Sequence, residues 1–131
     1  MARKNISSAS SFKKGIGFSR AVRVDDRILV SGTAPIADDG STAHPGDAYL
    51  QAKRCLEIIK AAIEKAGGRM SDVVRTRIYL TDAAFQEEVG RAHAEFFGDI
   101  RPATTMVAIK GLMRDDWLVQ LEAEAVVSPD R

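Results

Sequence analysis

The run Gln120-Leu121-Glu122-Ala123-Glu124-Ala125 alternates polar and apolar residues, and in an extended chain successive side chains point to opposite faces. One face then carries an amide and two carboxylates. A second run, Val74-Arg75-Thr76-Arg77-Ile78-Tyr79-Leu80, alternates in the same way and offers two arginines and a tyrosine hydroxyl. Brought onto one sheet face, these groups complement one another in charge and suit a contact between subunits. A third run, Arg101-Pro102-Ala103-Thr104-Thr105-Met106, adds a cation and two hydroxyls at the entry to another strand.

Other reactive residue types do not assemble into a known constellation. Ser31-Gly32 lacks the flanks of a nucleophile elbow, and a triad needs a histidine base. His44 falls in a predicted loop, and His93 in a predicted helix, where a solvent-facing position is expected. Cys55 lies on an apolar helical stripe and reads as a small core residue. No histidine, cysteine or carboxylate cluster suggests a metal, and Gly15 and Gly17 do not stand between a strand and a helix as a phosphate loop would. Neither metal nor cofactor is expected.

Composition narrows the class. With 131 residues, 45% hydrophobic and 28% charged, the chain can bury a core without staples. Its net charge of +1 gives no steering toward polyanions, so nucleic acid is not an expected partner. A lone cysteine excludes an intrachain disulfide. No apolar run approaches the roughly 20 residues of a membrane span, and the basic, serine-rich start lacks a signal-peptide core. The expectation is a cytoplasmic protein with a flexible segment over 1–14 and one domain over 15–131.

The elements that must position these residues follow from periodicity. Arg20–Val24 and Arg27–Ser31 form a hairpin about Asp25-Asp26, and 36–46 is loop. Ala48, Ala52, Cys55, Ile59, Ala62, Ile63 and Ala66 mark one face of a long helix capped by Asp47 and stopped by Gly67-Gly68. A strand over Val73–Leu80 precedes a second helix, capped by Asp82, with Phe85, Val89, Ala92 and Phe96 on one side and Gly98 at its end. Strands over about 103–109 and 118–127 complete ββαβαββ, an α+β fold with both helices on one face of the sheet.

Several motifs occur together and in order: Phe18-Ser19-Arg20-Ala21-Val22, Val30-Ser31-Gly32-Thr33-Ala34-Pro35, Val73 to Asp82, Phe96-Phe97-Gly98 with Arg101-Pro102-Ala103, and Gln120 to Val126. Over residues 15–127 the chain resembles the RidA/YjgF family of reactive-intermediate deaminases. The resemblance implies a chorismate-mutase-like homotrimer with small-molecule clefts between subunits. In deaminating members, water attacks the imine carbon of a 2-imino acid, releasing ammonia and a 2-oxo acid. An arginine after Pro-Ala grips the substrate carboxylate, and a glutamate on the last strand positions the water. The corresponding residues here are Thr104 and Gln120, so both charges are absent. The resemblance also points to Phe18, Ser31, Gly32 and Met106 as ligand contacts, with Arg101, Arg114 or Arg20 as substitutes for the missing arginine.

Two functions remain open on this reading. One is an imine or enamine hydrolase of altered specificity, with Gln120 and Thr104 at the reacting centre and Phe18, Ser31, Gly32, Arg101 and Met106 around the ligand. The other is a protein that binds a small metabolite in the same cleft without turning it over.

Overall fold

The computed structural model describes residues 2–7 and 15–129. Strand β1 (Arg3–Ile6) pairs antiparallel with β2 (Ala21–Val24), which turns at Asp25-Asp26 into β3 (Arg27–Thr33). Asp25 takes a left-handed φ of 54°, a conformation that aspartate tolerates in tight turns. The flexible start expected over 1–14 does not hold for Arg3–Ile6. That stretch satisfies the free backbone edge of β2, and Ile6 buries against the core. Residues 8–14 lie outside the described residues.

Helix α1 (Ala48–Lys65) is capped by Asp47, whose carboxylate accepts from the Leu50 amide at 2.9 Å. Its expected apolar stripe is buried throughout, and Leu56 joins it. Strand β4 (Val73–Leu80) follows. Asp82 caps a short 3-10 turn, Ala83–Phe85, rather than the second helix itself; α2 (Gln86–Phe97) begins where that turn ends. On α2 the fully buried phenylalanine is Phe97, while Phe96 is partly exposed. Strand β5 (Ala103–Ala108) runs parallel to β4, and β6 (Val119–Val126) lies antiparallel between β3 and β4. The sheet order is β1-β2-β3-β6-β4-β5.

The alternation read from the sequence sorts the two faces. Ile28, Val30, Ile78, Leu80, Leu121, Ala123 and Ala125 pack against the helices, while Arg77, Tyr79, Gln120, Glu122 and Glu124 line the open side. Gln51, fully buried on α1, fixes the start of β6. Its Nε2 donates to the Asp116 carbonyl at 2.9 Å and its Oε1 accepts from the Leu118 amide at 2.8 Å. The fully buried Gln51 carboxamide is satisfied in turn, since leaving it unpaired would cost about 1–3 kcal/mol. No described helix is long and apolar enough to cross a membrane.

Candidate functional site

Two groups of residues stand out, one on each side of the sheet. The first forms where the β3–β6 register slips. Val30 pairs with Ala123 and Thr33 with Leu121, so Ser31 and Gly32 share the space opposite Glu122. The Gln120 carboxamide fills the room that Gly32 leaves, since a Cβ at residue 32 would stand 2.3 Å from Gln120 Nε2. Glycine is required here for a close approach. Beneath the bulge Arg20 Nη2 donates to the Ser31 hydroxyl and to the Gly32 carbonyl, the latter at 2.6 Å. Ser31 Oγ in turn donates to the Ser19 carbonyl at 3.0 Å. The Phe18 ring lies 5.8 Å from the Arg20 guanidinium carbon. Phe18, Ser31 and Gly32 are therefore joined through Arg20, and Gln120 meets this group at Gly32.

Beside this group the open face carries an ion-pair network. Arg77 reaches Glu122 at 3.6 Å and Glu124 at 3.4 Å, and Arg27 reaches Glu124 at 3.7 Å. Tyr79 donates its hydroxyl to Glu122, and that bond holds the phenol above its ordinary value. Strand register makes this arrangement, because Arg77 lies across from Glu122 and Tyr79 from Gln120.

The second group centres on Thr104. Its hydroxyl lies 2.8 Å from that of Thr76, the residue beside it on β4, and Thr76 Oγ1 is 2.9 Å from His93 Nε2. Thr104 donates to the Pro102 carbonyl at 3.1 Å. One proton order satisfies the whole chain: His93 Nε2–H to Thr76, Thr76 to Thr104, and Thr104 to Pro102. His93 thus differs from the solvent-facing residue expected. It is half-buried, hydrogen-bonded and tilted against the Phe97 ring at 4.7 Å, and burial holds its imidazole below the ordinary value. Helical periodicity could not reveal this, because the partner hydroxyl comes from another element.

Within one chain Thr104 and Gln120 lie on opposite faces of the sheet and do not meet. Thr104 shares the face of buried Thr76, whereas Gln120 alternates with buried Val119 and Leu121. Met106 packs partly buried against the core. Arg101 is exposed, at a left-handed φ of 55°, with its amide bonded to the Phe97 carbonyl where α2 ends. Arg114 donates to the Gly40 carbonyl at 3.0 Å and stacks over buried Trp117. Cys55 is fully buried, and burial pushes its thiol up, away from nucleophilic use.

Known proteins share this arrangement of elements. A family model described as Endoribonuclease L-PSP matches residues 9–127. The 3-aminoacrylate deaminase RutC of Acinetobacter baylyi is 35% identical over 107 residues, covering 82% of this chain and 84% of the relative. A protein of Streptomyces coelicolor is 36% identical over 122 residues, covering 93% of this chain and 90% of its own. Among solved structures, Rv2704 of Mycobacterium tuberculosis, described as a member of the YjgF/YER057c/UK114 family, superposes with a TM-score of 0.87 at 41% identity. That match covers 96% of this chain and all of the other.

Two substitutions probe these groups. Gly32→Ala is expected to leave the fold intact, because the obstructing atom ends a flexible side chain, while it drives the Gln120 carboxamide from its place. The Gln120 side-chain NH2 resonances in a 15N correlation spectrum should move, with a change in unfolding free energy of about 1 kcal/mol or less. For His93, a folded-state value below the unfolded one contributes stability above about pH 6.5, and that stability is lost as the pH falls toward the folded value. The urea midpoint of the wild type should accordingly fall more steeply below pH 6.5 than that of His93→Gln.

Proposed function

We propose, for a chain that belongs to the Endoribonuclease L-PSP family, that it is an imine or enamine hydrolase of altered specificity working in a cleft between subunits of a homotrimer. The observation that carries this reading is the setting of Thr104. An arginine there would present donors to a carboxylate. The single Thr104 proton is spent on the Pro102 carbonyl or on Thr76, whichever way the bond between the two hydroxyls runs, so what remains to a ligand is a lone pair. Such a position receives an N–H, as on an imine or enamine nitrogen, and disfavours a carboxylate. Gln120, seated on Gly32, can orient a water through its carbonyl oxygen but holds no negative charge to take a proton. Phe18 and Ser31 complete the proposed lining on one subunit, and Arg101 stands exposed beside Thr104 on the facing edge. Met106 adds bulk two residues further along the same strand.

The subunit arrangement has separate support. Leu29, Val107 and Val126 are exposed apolar side chains among the ion pairs of the open sheet face, a mixture suited to burial against like copies. The arginine Arg77 on that face is held by Glu122 and Glu124, which leaves it poorly placed for phosphates and favours a small molecule over RNA. The relative RutC, named for deamination of 3-aminoacrylate, makes an enamine a reasonable substrate class.

The test couples the protein to an amino-acid oxidase and follows consumption of the 2-imino acid produced. Turnover should fall below that of an arginine-bearing relative by about tenfold or more, the equivalent of one lost charge-assisted bond. Turnover equal to the relative's would refute the altered specificity. A monomer in sedimentation equilibrium at micromolar concentration would refute the inter-subunit cleft.

A further inference from the structure

A cavity of about 500 Å3 opens on the helix side of the sheet, between the second half of α1, the loop after β3 and the end of β1. Ile36, Ile58, Ala61 and Ala62 give it apolar walls, and Arg20 forms part of its lining. The Gln120 carboxamide lies on the opposite side of the sheet, and Arg20 stands between the two.

Arg20 has the Phe18 ring beside it but no counter-ion among the described residues. Among the described residues only Nη2 is engaged, and both acceptors, the Ser31 hydroxyl and the Gly32 carbonyl, are neutral. Nε is buried without an acceptor. Burial also lowers the guanidinium from its ordinary value, as expected where the charged form lacks a counter-ion. Among the described residues no carboxylate around the cavity pairs with Arg20. Asp38 and Glu57 pair with Arg54 at 3.1 and 3.7 Å, and Asp39 accepts from the Ser41 amide and hydroxyl at 3.0 and 2.6 Å. Residues 8–14, which follow β1 in the chain, include no acid at all. A part-buried cation without a counter-ion is unfavourable, and an apolar chamber beside it gives an amphipathic anion a place to relieve that cost.

We propose that this cavity binds a small monocarboxylate with a short hydrocarbon body. Arg20 receives the carboxylate at the edge of its guanidinium that its neutral partners leave open. Ile58, Ala61 and Ala62 receive the hydrocarbon, and Lys65 and Arg114 at the lining add positive potential.

The experiment titrates 15N-labelled full-length protein with hexanoate and, separately, with hexanamide, which has the same shape without the charge. Hexanoate should shift the backbone amides of Ala37, Gly40, Ala61 and Lys65 saturably and bind about tenfold or more tighter than hexanamide. Arg20→Gln should erase the difference between the two probes. Because Arg20 also braces the β3 bulge, a second variant, Ala61→Trp, fills the exposed mouth without touching Arg20 and should abolish binding. Four outcomes overturn the proposal: no saturable shift, equal affinity for both probes, shifts confined to Phe18 and Gln120, or unchanged hexanoate binding in Ala61→Trp. Nuclear Overhauser contacts from Phe12 to Ile58 in the free protein would also overturn it, since the chain's own segment would then occupy the cavity.

Discussion

Strand β6 is the constraint on which the rest depends. It hydrogen-bonds on both sides, to β3 and to β4, and its alternation assigns each residue to the core or to the open face. Leu121, Ala123 and Ala125 fasten the sheet to the helices, so Gln120, Glu122 and Glu124 have no choice of side. A slip of one residue would exchange the two sets and bury both carboxylates, a cost that the fold could not absorb. The Gln51 clamp sets where this strand begins, and the bulge at Ser31-Gly32 sets what lies against Gln120. Candidate chemistry on the open face is thus a consequence of core packing on the other.

The two polar groups differ in character. Around Gln120 the contacts are an amide packed on glycine, a hydroxyl and an arginine that holds the bulge in shape. Around Thr104 the contacts form a hydroxyl chain that ends on the His93 imidazole. Neither offers a free guanidinium to a ligand carboxylate at the position where the deaminating pattern has one. The positive charge nearest to the bulge, Arg20, turns instead toward a separate cavity behind the sheet.

How much of this was visible in the sequence depends on whether the cause is local. The α1 stripe, the Asp47 cap and the alternation of β4 and β6 are written in residues a few positions apart, and the structure follows them closely. Thr104 and Gln120 were marked by a motif with two charges missing, also a local signal. Strand β1 was not legible, because Arg3-Lys4-Asn5 carries no apolar alternation; it forms to satisfy the edge of β2. The setting of His93 was hidden for a similar reason, since its partner Thr76 is seventeen positions away on another element. Arg20 gave no sign of its isolation, which arises because Asp38 and Glu57 both turn to Arg54 and Asp39 turns to Ser41.

The central claim is that the site has exchanged recognition of a charged carboxylate for recognition by lone pairs and amides. The most direct measurement is the ratio of kcat/KM for the imine of an amino acid to that for the imine of the matching amino-acid amide. These substrates differ only in the group an arginine would grip, so the ratio reports that contact alone. The account predicts a ratio within about threefold of one, because neither Thr104 nor Gln120 distinguishes a carboxylate by charge. A preference of about a hundredfold for the carboxylate, or turnover of neither substrate, would contradict it.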